Sequence, residues 1–143
     1  MLQPQAVMWY IHSVLRRQPR RALRGIRALM RLRLYLDTSV ISAYVDDRMP
    51  ERRWATVEFW RRLSEFDVSV SELTVTEVRA TGDVGSRRQM EEMIASFEVL
   101  PVGEEDRALA REYVRRGVFS PATLDDALHV AMAVVSTRDL PVS

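Results

Sequence analysis

Apolar positions recur along this chain with two spacings, and the alternation between them predicts its elements. Leu34-Tyr35-Leu36 is a short apolar run closed by Asp37, Val68-Ser69-Val70 alternates with period two, and Val99-Leu100 is a short apolar pair; all three read as strands. Between and after them the spacing is helical. Asp37-Thr38-Ser39 caps a short helix through Val40-Ile41-Ser42-Ala43-Tyr44-Val45. After Pro50, the stripe Trp54, Val57, Trp60 and Leu63 marks a second helix with Arg52, Arg53, Arg61 and Arg62 on its wet side; such a stripe is expected to pack in a core rather than to stack nucleobases. Ser71 caps a third helix, on which Glu77 shares a face with Leu73 and which Gly82 is expected to end. Met90, Met93, Ile94 and Phe97 mark a fourth. Glu104-Glu105-Asp106 opens and Arg115-Arg116-Gly117 closes a fifth, with acids first, bases last and a glycine to stop it. Ser120-Pro121 starts the last helix, whose stripe is Leu124, Leu128, Ala131 and Val135 and whose end falls near Val135. Strands alternating with helices predict an α/β fold, a parallel sheet covered by helices.

Composition narrows the chemistry. With 143 residues, 47% of them hydrophobic, the chain can bury one core and is too short for two full domains. It has no cysteine, which excludes disulfides, thiolate catalysis and Cys-ligated zinc and suits a reducing cytosol. Any metal must be held by oxygen or by His12 and His129. No apolar run approaches the roughly 20 residues of a transmembrane helix, so no membrane span is expected.

The net charge of +1 conceals a division, because residues 1–36 carry eight arginines and no acid, while the remaining 13 arginines face all 20 acids. A basic leader, 1–29, precedes an acidic body, 30–143. The absence of lysine points to a coding bias of the source. In the leader, Pro19 interrupts apolar residues threaded with arginine, and the order of its segments is not that of a secretory signal. Either Met30 is the true start, or the leader forms basic amphipathic helices that touch RNA or a membrane surface.

Four acids stand where chemistry or plain structure would place them. Asp37 ends a buried strand, where open α/β folds gather ligands, yet Asp-Thr-Ser ahead of a helix is also ordinary capping. Glu77, on a partly inward face, needs a cation or an ion pair, with Arg79 or another arginine as the simplest partner. Asp125 and Asp126 occupy a first helical turn, which the helix dipole favours for any acid.

The strings Leu36-Asp37-Thr38-Ser39-Val40-Ile41, Ser71-Glu72-Leu73-Thr74-Val75-Thr76-Glu77-Val78 and Asp125-Asp126-Ala127-Leu128-His129-Val130-Ala131 resemble, in order and spacing, the acidic motifs of PIN-domain proteins. The likeness runs from about Arg33 onward and is nearest to the VapC-like toxin ribonucleases with an Asp-Ala-Leu-His motif. The resemblance implies a three-layer α/β/α fold and an endoribonuclease dependent on Mg²⁺ or Mn²⁺. Asp37, Glu77 and Asp126 would be its metal-binding acids, with Asp125 as a lesser neighbour. It also implies an RNA substrate, a small antitoxin partner, a homodimer and a cytoplasmic location. The alternative is an impaired PIN domain that binds RNA or protein without cutting. His129 is expected to make a structural hydrogen bond or touch substrate at its edge rather than to hold metal. One departure stands out: the subgroup's closing strand and Trp-Asn motif, or a fourth acid, find no counterpart beyond Asp139, so the last strand is expected to be incomplete and Asp139 a poor substitute.

Overall fold

A computed structural model describes residues 32–138; the leader, Asp139 and the expected closing strand lie outside the described residues. The element order is β1 (Arg33–Tyr35), α1 (Thr38–Val45), α2 (Pro50–Trp60), a 3₁₀ turn (Leu63–Glu65), β2 (Asp67–Ser71), α3 (Glu72–Arg79), α4 (Val84–Ile94), β3 (Glu98–Leu100), α5 (Glu104–Arg115), a second 3₁₀ turn (Pro121–Thr123) and α6 (Leu124–Arg138). The three strands form a parallel sheet in the order β1-β2-β3, with Tyr35 opposite Ser69 and Ser71 opposite Leu100. Each strand reaches the next through helices, as parallel pairing requires.

Alternation along the strands sends side chains to two cores. Leu34, Val68 and Val70 join Leu36, Val40, Ile41, Phe59, Leu63, Val78, Met90 and Ile94 on one face, covered by α1, α2 and α4 with part of α3. Tyr35, Leu73 and Leu100 join Ala110, Ala127, Leu128, Ala131 and Met132 on the other, covered by α5 and α6. The expected α/β/α layering is present, with six α-helices flanking the sheet among the described residues. Val70, Ile41 and Val78 have no exposed surface, and each full burial contributes about 1.5–3 kcal/mol. On the second face small residues meet, Ala110 against Ala127 and Ala131, which lets the α5 and α6 backbones approach closely.

Several local expectations are corrected. Of the expected stripe, Leu63 is buried and Trp60 packs against the first core, but Trp54 is 59% exposed, and Thr56 and Phe59 form the buried side of α2. Arg52 is half-buried rather than on the wet side, and its guanidinium donates to the Ser39 carbonyl at 3.3 Å. Gly82 does not end α3, which stops at Arg79 with Ala80 as its right-handed cap. Phe97 lies beyond α4, though it packs against the first core. Leu124 is exposed, and the buried side of α6 is Ala127, Leu128, His129, Ala131 and Met132. That helix also runs past Val135, to Arg138. The cap at Gly117 is as expected, with φ +74°.

Candidate active site

Asp37 follows β1 at the carboxyl end of its strand and is the N-cap of α1, with extended backbone (φ −82°, ψ 170°). Its Oδ1 accepts from Ser39 Oγ at 2.7 Å and from the Val40 backbone N–H at 3.2 Å. The capping reading is therefore correct, and it leaves Oδ2 without a hydrogen bond among the described residues. Capping and ligand binding are compatible, because one oxygen fixes the carboxylate while the other stays open.

Glu77 sits in the second turn of α3, half-buried, on the face it shares with Leu73. Its partner is not Arg79 or any arginine but His129 of α6, whose Nε2 lies 2.7 Å from Glu77 Oε1. The other ring nitrogen, Nδ1, lies 2.7 Å from the Tyr35 hydroxyl, so the hydrogen bond expected of His129 exists twice over. His129 is only 6% exposed. An ionised carboxylate only accepts, so Nε2 carries the proton shared with Glu77.

Beyond Tyr35 the hydrogen bonds continue. Its hydroxyl donates to Ser71 Oγ at 2.8 Å, Ser71 Oγ lies 3.3 Å from Thr74 Oγ1, and Thr74 Oγ1 donates to the Leu36 carbonyl at 3.4 Å. Ser71 and Thr74 are fully buried and belong to the capping box of α3, where the Thr74 backbone N–H donates to Ser71 Oγ at 3.2 Å. In the sequence Tyr35 stands as one residue of an apolar strand. The available signal was its polar tip, since a tyrosine in a buried strand generally finds a hydrogen-bond partner. Burial raises the Tyr35 pKa above its usual value; the Ser71 and Thr74 hydroxyls oppose that shift, and the charges of Asp37 and Glu77 add to it. Both carboxylates thus act on one phenol.

Asp125 and Asp126 are exposed in the first turn of α6, with Asp126 three residues ahead of His129. Among the described residues neither makes a hydrogen bond or an ion pair, and none of the arginines there pairs with Asp37 or Glu77. No group of three or more His, Asp and Glu side chains among the described residues is drawn together as a metal cluster. Asp37 and Glu77 are each held through one carboxylate oxygen, whereas Asp125 and Asp126 stand at the surface. The donor set fits a hard divalent cation, being carboxylate oxygen throughout, with Asp37 Oδ2 and Glu77 Oε2 both unengaged among the described residues.

The PIN-domain pattern matches residues 34–139, most of the chain and all three acidic strings. No curated protein matches it as a relative. No helix among the described residues is long and apolar enough to cross a membrane. With the parallel sheet, its flanking helices and the strand-end aspartate in place, the chain belongs to the PIN-domain family, whose members are generally nucleases and usually depend on divalent metal.

Proposed function

We propose that this PIN domain is an endoribonuclease that hydrolyses RNA phosphodiesters with Mg²⁺ or Mn²⁺. We further infer a VapC-type toxin, paired in the cytosol with a small antitoxin protein and acting as a homodimer. The observation that carries the nuclease reading is the PIN-domain match over residues 34–139, within which Asp37 is fixed through one oxygen at a strand's carboxyl end and Glu77 through one oxygen by His129. Asp37, Glu77 and Asp126, with Asp125 beside the last, are the residues that would hold the cation. When bound, such an ion supplies an acidified water as nucleophile and positive charge against the phosphate. The chain's own contribution is to hold open carboxylate oxygens in place, with no arginine among the described residues paired to Asp37 or Glu77. The toxin reading rests on the likeness of the three acidic strings to the subgroup with Asp-Ala-Leu-His.

The test is cleavage of a mixed RNA by the purified full chain. Products that need Mn²⁺, vanish with chelator and are absent for Asp37→Asn support the nuclease. Cleavage indifferent to both changes overturns it. Growth arrest on expressing the wild type, but not Asp37→Asn, supports the toxin role; equal growth of both strains removes it.

A further inference from the structure

Glu77 and Asp37 come from different segments, and one run of buried polar groups leads from Glu77 to the residue ahead of Asp37. From Glu77 it passes through His129, Tyr35, Ser71 and Thr74 to the carbonyl of Leu36, the residue directly ahead of Asp37. Its members come from β1, β2, α3 and α6, and their donors form a consistent direction. Thr74 donates to Leu36, so Ser71 donates to Thr74, and Tyr35 donates to Ser71, while the two ring nitrogens of His129 bridge the Tyr35 hydroxyl and the Glu77 carboxylate, each at 2.7 Å. Each of the three hydroxyls then gives its one proton within the chain. The inner members are sealed from water, with Ser71 and Thr74 fully buried and His129 nearly so. Satisfied polar networks in such surroundings are stiff, because a broken link leaves a buried group unpaired.

We propose that His129 and Tyr35 are positioning residues for the metal centre, setting the Glu77 carboxylate relative to Asp37 through this hydrogen-bonded chain. The inference rests on the reading of Asp37 and Glu77 as metal-holding acids. Neither positioning residue reaches the ion or the substrate; each acts on Glu77, His129 directly and Tyr35 through the imidazole. His129 takes Glu77 Oε1 and leaves Oε2 without a hydrogen bond among the described residues, which is the part a hydrogen-bonded outer partner plays for a ligating carboxylate.

The experiment measures Mn²⁺ binding to the full chain by electron paramagnetic resonance, with no RNA present, beside thermal melting. Tyr35→Phe keeps the ring and removes only the hydroxyl. His129→Asn keeps a polar group near Nδ1 and loses the donor to Glu77, while His129→Gln keeps a donor near Nε2. Tyr35→Phe and His129→Asn are expected to weaken Mn²⁺ binding by about 10-fold or more, the usual consequence of losing an outer partner, and His129→Gln to recover part of it. Binding of wild-type strength by a folded Tyr35→Phe, with only its melting temperature lowered, overturns the positioning role. Glu77→Gln separates the two readings. If it loses Mn²⁺ while Tyr35→Phe and His129→Asn do not, the centre stands and the positioning chain falls. If it binds as well as wild type, the metal centre falls and takes the inference with it.

Discussion

His129 Nε2 meets Glu77 Oε1 at 2.7 Å across 52 positions of sequence, tying the last helix to the third beside the end of β1. The contact takes up one carboxylate oxygen and leaves its twin open, just as the helix cap does for Asp37. Four acids thus divide into two that are held and two, Asp125 and Asp126, that stand at the surface one turn ahead of His129.

That division leads to a panel of isosteric changes. Asp37→Asn, Glu77→Gln and Asp126→Asn should each lower Mn²⁺-dependent RNA cleavage at least about 100-fold, since a metal stabilises a phosphoryl transition state by several kcal/mol. Circular dichroism should stay native. Asp125→Asn should cost less; if it proves the more damaging of the neighbouring pair, the ligand is Asp125. Near-normal cleavage by any two of the first three would dismantle the assignment.

Thr38 follows Asp37 and begins α1, and its Oγ1 is buried with no hydrogen-bond partner among the described residues. A buried hydroxyl without a partner costs about 1–3 kcal/mol, and a methyl of the same shape escapes that cost. Thr38→Val should therefore leave the melting temperature unchanged or raise it. A clear fall would mean that the hydroxyl has a partner, such as an ordered water, that matters to the fold.

Features encoded locally were legible in the sequence, and those set by helix packing were not. Ser71 as a cap and the glycine stop at Gly117 were readable because each depends on a few neighbours. The three acidic strings were readable for the same reason, being continuous motifs. The phase of α2 was not: Trp54 and Phe59 are both large and apolar, and only the packing of α2 against its neighbours decides that Phe59 is buried and Trp54 exposed. The partner of Glu77 was hidden too, because the pairing with His129 requires α6 to lie against β1 and α3. Arg79 was near in sequence and proved irrelevant.

Gly117 closes α5 with φ +74°, and a Cβ built there would meet nothing within 4 Å. Crowding therefore plays no part, and any cost of Gly117→Ala is conformational. A non-glycine residue in the left-handed region loses about 1–2 kcal/mol, so the melting temperature should fall by several degrees for a domain of this size. An unchanged melting temperature would show that the chain at this point is not held in the left-handed conformation in solution.

The end of α5 also carries a pH-dependent clamp, in which the Glu112 carboxylate accepts from Arg115 and from Arg116. The Arg115 hydrogen bond, then that of Arg116, lowers the Glu112 pKa to about 2 from an ordinary 4.5. As pH falls below 4.5, the unfolded chain takes up a proton at this position before the folded chain does. Protons then favour the unfolded state, and the contribution of the clamp is lost progressively until pH reaches about 2. Above 4.5 it is fully present and flat. Because the pair is exposed, the effect should be small and should shrink in about 1 M salt, where charges are screened beyond roughly 3 Å. Urea midpoints of wild type and Glu112→Gln, compared from pH 6 down to the acid limit of folding, should converge as pH drops below 4.5. Other carboxylates, including Asp46 with its own Arg48 partner and a pKa of about 2, titrate in both proteins and cancel in the difference. Parallel curves through the acid range would show that the clamp is not formed in solution.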